Sequence, residues 1–365
     1  MAGAAGWRWL VVAAGIVLLC SLPVLASTLP VSVPQMSAAQ LRARILASRS
    51  MAFSGYAESD ATFGLPPLGA FSSVADLLDG ITKMEVWQAS PTRWRVDTLS
   101  DASERDMYQA GTTTQYTWDS QQELLTEITG AQTIRLPVAA DLVPSALAIR
   151  IITQAGSHAT FGLLPPRRVA GQAAAGLRVT PTDPSSTIGQ VDVWANPGDG
   201  LPLLVEILAR GSTKPALESE FFQVSPWHPD SALLTPRHVP GNGFAVTSAN
   251  AFRGVLSNVL SRPLPPTLDG RSLISAPVFG TGVYGNGLAP FVVLAIHGGY
   301  NFIEDAISAG ATPFTSQFSH GAYASAPLVN LVLIHEPFTH AVFLLAGFVS
   351  RTVLMNAAQD LVAFR

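Results

Sequence analysis

In Arg93-Trp94-Arg95-Val96-Asp97, polar and apolar side chains alternate with a period of two. That period belongs to a β-strand that hides one face and wets the other. Trp94 and Val96 then point one way, while Arg93, Arg95 and Asp97 point the other. The pattern recurs in Met51 to Glu58, with Met51 and Phe53 on one face, in Lys83 to Trp87, in Thr114 to Asp119 and in Glu123 to Ile128. Turn residues separate these segments at Ser90-Pro91, Ala110-Gly111, Asp119-Ser120 and Thr129-Gly130. Short alternating segments at such spacing predict an antiparallel meander.

Two interruptions are helical. From Ser37 to Ser48, Leu41, Ile45 and Leu46 on a polar ground predict a short amphipathic helix. Leu142 to Gln154 carries a helical apolar period through Leu147, Ile151 and Ile152, with Pro144 tolerated in the first turn. Strands resume at Gly176 to Val179, Val191 to Trp194, Leu201 to Ile207 and Leu217 to Val224, with a turn at Asn196 to Gly200. Such a meander with one or two helices predicts an α+β fold, a β half-barrel wrapped over helices that leave a deep apolar groove.

A length of 365 residues exceeds what one core usually organises, so a second domain is expected. Residues 227–270, rich in Pro, Gly, Ser and Asn, read as a linker with early strands such as Gly243 to Val246. Residues 271–365 read as a small C-terminal α/β domain. Strands are predicted at Pro290 to Ile296, Leu328 to Ile334 and Ala341 to Phe348, and a helix at Tyr300 to Ser308. A last helix follows Ser350 as N-cap, with Val353, Leu354, Ala357, Ala358 and Leu361 as its apolar stripe.

Residues 1–26 place the protein. Arg8 is followed by an apolar run from Trp9 to Leu22, broken by Pro23, and then Val24-Leu25-Ala26. This reads as a secretory signal peptide cleaved before Ser27, or as an uncleaved N-terminal membrane anchor. Either way the bulk of the chain is expected to be exported and extracytoplasmic. The single cysteine, Cys20, lies inside that run behind Leu19, where lipid attachment would want a small residue. With 13% charged against 48% hydrophobic residues the chain is no disordered polymer, and a net charge of −4 offers no basic surplus for a nucleic-acid partner.

A Val191-Asp192-Val193-Trp194 hairpin strand, a turn, Gly200-Leu201-Pro202-Leu203, and a later strand containing Glu220-Phe221 before Pro226 form an ordered series. Upstream stand Ser54-Gly55, Pro91 to Val96, Trp118-Asp119, Arg135 to Pro137 with Asp141 to Pro144, and Arg168 to Gly171. Taken in order, these pieces resemble the lipoprotein-carrier superfamily: LolA-type and LolB-type carriers, the N-terminal domain of RseB-type sigma-factor regulators and LppX-type lipid-binding lipoproteins. The actinobacterial branch is the most similar, over residues 37–226. The resemblance implies a sheet wrapped over helices, enclosing a cavity for an acyl chain, lipid or lipoprotein anchor. The last forty residues or so resemble RseB-type C-terminal domains, which implies a membrane-bound anti-sigma factor as an alternative partner.

Within that frame, Thr62 to Phe71 is an apolar loop where loops are ordinarily polar. Phe63, Leu65, Leu68 and Phe71, with Leu77 on a short helix beyond, are candidates for a lid over the cavity mouth; the alternative is a loop packed on its own core. Trp87, Trp94 and Trp118 are groove-lining candidates, or ordinary core.

No catalytic set emerges. His335 and His340 are five apart with Pro337 between them, which breaks any zinc-binding helix and reads as a turn between strands. Gly280 to Gly285 has the letters of a dinucleotide loop, but a strand pattern follows it, so it reads as a flexible loop. The histidines, 7 in all, lack ligand spacing, and Glu304-Asp305 are adjacent on a helix and cannot face each other. The expectation is a non-enzyme without cofactor or metal.

Overall fold

The computed structural model describes residues 31–64, 76–100, 103–130, 137–248, 263–276, 280–296, 300–316, 319–336 and 341–364. The expected signal or anchor segment, the loop residues Leu65, Leu68 and Phe71, and the turn at 337–340 lie outside these. No helix among the described residues is long and apolar enough to cross a membrane.

The chain enters through α1 (Ala38–Ala47). The Ser37 hydroxyl accepts the Gln40 N–H at 3.2 Å and the Gln40 side chain accepts the Ser37 N–H at 2.8 Å, a reciprocal cap that fixes where the helix starts. Six strands follow: β1 (Phe53–Thr62), β2 (Asp79–Ser90), β3 (Arg93–Leu99), β4 (Glu104–Ala110), β5 (Thr114–Asp119) and β6 (Leu124–Thr129). A 3-10 turn (Ala139–Asp141) leads into α2 (Pro144–Ala155), which begins on its proline as expected. Then come β7 (Ala159–Val169), β8 (Gln172–Pro181), β9 (Ile188–Ala195), β10 (Pro202–Ala209), β11 (Pro215–Ser225) and β12 (Gly243–Ser248).

These strands make one sheet in the order β12-β6-β5-β4-β3-β2-β1-β11-β10-β9-β8-β7. It is open, with β12 and β7 at its edges. Neighbours are antiparallel except β12, which runs parallel to β6, so the Gly243 strand read within the linker belongs to this sheet.

One face is covered by α1 and α2. Leu41 and Ile45 from α1, and Ala148 and Ile152 from α2, pack with Phe53, Met84, Val193, Leu203, Leu217 and Phe221 in one buried cluster. Each such side chain contributes about 1.5–3 kcal/mol by leaving water. Phe53 and Phe221, both fully buried, meet edge to face at 5.7 Å. Gly55 makes that possible: a Cβ there would lie 3.1 Å from the Phe221 ring and closer still to the Gln223 carbonyl.

Beyond β3 the sheet changes the face it hides. Register places Asp106 beside Trp118, Tyr108 beside Tyr116, and Trp118 beside Leu125 on the face away from the helices. Residues 226–242, running from β11 to β12, cross that face; Arg93 donates to Thr235 Oγ1 at 3.2 Å and Leu234 is buried.

The second sheet has the order β13-β14-β15-β16-β20-β19-β18-β17. Its strands are β13 (Thr267–Leu268), β14 (Arg271–Ser275), β15 (Thr281–Tyr284), β16 (Phe291–Ile296), β17 (Thr312–Thr315), β18 (His320–Ser325), β19 (Asn330–Glu336) and β20 (Ala341–Gly347). Helices α3 (Tyr300–Ser308) and α4 (Arg351–Ala363) lie on opposite faces: Val342 and Leu344 of β20 pack with Ile303 and Ala306, while Phe343 and Leu345 pack with Leu354 and Ala358. Every pairing is antiparallel, so this part is α+β rather than the expected α/β. The Gly280 to Gly285 loop is corrected too, because Thr281 to Tyr284 is a strand. Gly282 is required there, since a Cβ would fall within 3.0 Å of Leu264, Leu273 and Tyr284.

Residues 182–187, between β8 and β9, join the two sheets. Thr187 N–H donates to Phe348 O at 3.0 Å, Ser350 N–H to Ser185 O at 2.7 Å, and Ser186 Oγ to Leu288 O at 2.7 Å. Arg271 pairs with Asp183 at 2.8 Å and donates to Ser185 Oγ at 2.6 Å. Burial would push the Asp183 carboxyl up, but the hydrogen bonds from Arg271 and Ser185 hold it below its usual range. Ser350 stands at the N-cap of α4 as expected, though its hydroxyl makes no capping bond.

Candidate functional site

Where α2 and the 3-10 turn stand off β2 and β3, a hollow of about 690 Å³ remains. Its floor is Val86 and Val96 from the strands and Val143 from the turn into α2, all buried. Trp94, Ala146 and Ile149 form its walls. Alternation puts them there: Trp94 and Val96 are two apart on β3, and Val86 pairs with Val96 across the hairpin. The volume lies within the range of about 300–1,000 Å³ in which small ligands bind.

The mouth is polar. Arg49, Pro91, Arg150, Thr153 and Gln154 border it and are exposed. Arg150 is ion-paired with Asp141, and the other Asp141 oxygen accepts the Val138 N–H at 3.1 Å, so one buried carboxylate ties the helix to the turn before it. Gln88 closes the far end, donating to Met51 O at 2.9 Å. This arrangement can seat an apolar body against aliphatic walls and an anionic head against guanidinium groups. Asp141 and Ser145, both buried, complete its lining.

Of the residues expected from the sequence, Trp94 lines the hollow. Phe63 and Leu77 pack into the core at the other end of β1, where Thr62 pairs with Asp79; the hollow lies toward the end where Phe53 pairs with Gln88. Trp87 and Trp118 project from the opposite face of the sheet. Trp87 pairs with Arg95, whose guanidinium lies 5.1 Å from the indole and 5.0 Å from the Tyr108 ring. Val86, Val143, Ala146, Ile149 and Arg150 were not picked out from the sequence. The signal for them was the position of the second helix directly after the meander, with its half-polar stripe.

Opposite the hollow, Arg95 holds Asp97 at 2.5 Å and Asp106 at 2.9 Å. Burial pushes the Asp97 carboxyl up to about 7 despite Arg95, and pushes Asp106 up as well. Among the described histidines, His320 and His335 stack at 4.9 Å between neighbouring strands of the second sheet.

The chain matches no protein-family model and no curated protein. Among solved structures it is similar to MucB in complex with MucA(peri), with a TM-score of 0.48 and 18% identity over 88% of this chain and 97% of that one. The MucA/MucB complex of Pseudomonas aeruginosa gives 0.48 and 19%, over 88% and 96%. A LolA superfamily protein from Nitrosomonas europaea gives 0.25 and 12%, over 55% and 99%.

Proposed function

We propose that this protein is a non-catalytic, extracytoplasmic binder of an acyl chain, carried by a lipid or lipoprotein, and that the hollow between α2 and the β2–β3 hairpin is its seat. The observation that carries the reading is the hollow itself: aliphatic and indole walls, a volume near 690 Å³, and a rim bearing Arg49 and Arg150. Each methylene buried there contributes ~0.8 kcal/mol, so about ten of them supply ~8 kcal/mol before the cost of ordering the chain. An anionic headgroup at the mouth would meet Arg49, with Arg150 exchanging part of its pairing to Asp141. In this reading the first sheet is the half-barrel of the carriers.

Native mass spectrometry of the tag-purified chain, with lipid extraction, tests this. A co-purifying acyl lipid, or saturable uptake of a fluorescent fatty acid, is expected. The absence of both co-purifying lipid and fatty-acid uptake would refute the proposal.

A second reading is regulatory: the hollow senses lipid while the second sheet holds a membrane-bound anti-sigma factor. The observation favouring it is the set of backbone and side-chain bonds from residues 182–187, which ties the second sheet to the first. Capture of a single-pass anti-sigma factor that is lost when the second sheet is removed would support it.

A further inference from the structure

On the face of the first sheet away from the hollow, three carboxylates converge from two neighbouring strands. Asp97 on β3 pairs with Asp106 on β4, and Glu104 lies two residues before Asp106 on the same face. One oxygen from each of the three lies within 4.8 Å of the other two. Asp97 and Asp106 are almost wholly buried, with side chains 3% and 5% exposed, whereas Glu104 reaches solvent.

The compensation is incomplete. Arg95 donates to Asp97 Oδ1 and to Asp106 Oδ2, and lies 3.8 Å from Glu104. Tyr108 also donates to Asp106 Oδ2, at 3.0 Å. Both donors thus serve the same Asp106 oxygen, and Asp106 Oδ1, buried, has no hydrogen-bond partner. A buried carboxylate oxygen left so costs more than almost any other polar group. One guanidinium serves three carboxylates, more acidic groups than it can neutralise once all of them ionise. Glu85, paired with Asp97 on β2, adds another carboxylate nearby, and Arg237 borders the site from the exposed side of the covering segment.

We propose that Asp97, Glu104 and Asp106 form a binding site for a hard divalent cation, calcium in preference to magnesium, with Asp106 Oδ1 as the buried ligand. One such ion balances the two carboxylates that Arg95 leaves unmatched, which give up their protons as it binds. The donors are all oxygen, which selects calcium or magnesium over zinc. Their placement on two twisted strands around a fixed guanidinium suits the irregular, six-to-eight-fold shell of calcium better than a strict octahedron. A hollow of about 480 Å³ between Asp106, Tyr108, Trp118 and residues 232–239 reaches the Asp106 side of the cluster and gives room for water ligands.

The test uses the full folded chain stripped with chelator, then titrated with calcium chloride by calorimetry at neutral pH. Uptake saturating at one calcium per chain is expected, with a raised thermal midpoint that sodium chloride of equal ionic strength does not reproduce. Glu104→Gln, at a half-exposed position, removes only the longest of the Arg95 pairs and leaves those with Asp97 and Asp106 in place; it is expected to weaken binding about tenfold or more. Asp106→Asn is expected to abolish it, near-ultraviolet circular dichroism reporting that the fold persists. No uptake by the native chain, or uptake unchanged in Glu104→Gln, overturns the proposal; the second result holds even if Asp106→Asn fails to fold.

Discussion

Ala146 points into the hollow from the first turn of α2, half-buried, with Trp94 and Ile149 among its neighbours around the cavity. Ala146→Trp should therefore fill the seat without disturbing the sheet, because the indole enters existing space near 690 Å³ rather than packed core. If the indole displaces even about four methylenes of a bound chain, at ~0.8 kcal/mol each, binding weakens by ~3 kcal/mol, roughly 200-fold in Kd. The assay is displacement of a fluorescent fatty acid from the purified chain, with the thermal midpoint as the control for folding. A normal midpoint with a Kd raised roughly 200-fold is the expected pair of results. Unchanged affinity in a folded Ala146→Trp protein would show that the acyl chain binds elsewhere and would refute the assignment of the hollow.

Phe221→Ala removes a fully buried ring that closes on Phe53, and should cost about 3–5 kcal/mol in a urea melt; a loss near zero would mean the inner face is not the core. Glu220 faces Glu58 across the β1–β11 pair, and burial, then Glu218 and Glu206, push its carboxyl above the usual range against the pull of Arg167. Its folded pKa is raised, so the fold loses stability as pH rises from about 4.3, the ordinary Glu value, through that higher pKa. Glu220→Gln should raise the melting midpoint at pH 7 and lose that advantage toward pH 4; a constant gain across the range would contradict the cause given. Arg271→Ala leaves Asp183 without its partner at the junction of the sheets. It should destabilise by about 1–3 kcal/mol and speed proteolysis within residues 182–187, and a protein as resistant as wild type would argue against a junction held there.

Alternation made β3, β5 and β6 legible, and the proline start made α2 legible, because each shows an apolar period in its own segment. The missed strands hide theirs for physical reasons. In β7, Pro165 and Pro166 interrupt the pattern and the register with β8 slips between Leu164 and Arg167. That is tolerated because β7 is a sheet edge, where a missing N–H leaves no ladder bond unmade. In β15 the glycine reads as a loop signal until the side chains of Leu264, Leu273 and Tyr284 are seen closing around it. In β4, Glu104-Arg105-Asp106 shows no apolar alternation of its own, and only the pairing with Asp97 and the covering residues 226–242 turn Asp106 inward.

The tryptophans show where a local period stops being enough. Within β3 the sequence correctly separates Trp94 and Val96 from Arg95 and Asp97, but relating Trp87 to Trp94 requires the hairpin register. That register shifts between Gln88 and Ser90, and a one-residue shift exchanges the two faces of everything beyond it. With the bulge in place, Val86 joins Val96 over the hollow and Trp87 joins Arg95 on the other side. The hollow and the carboxylate cluster thus lie on opposite faces of the sheet and share β3, the hollow completed by β2 and the cluster by β4. Deleting a residue at the Pro91-Thr92 turn would test this register argument directly: it should move Trp87 and Trp94 to a common face and empty the hollow of its indole wall, read as lost fatty-acid binding with a shifted tryptophan emission.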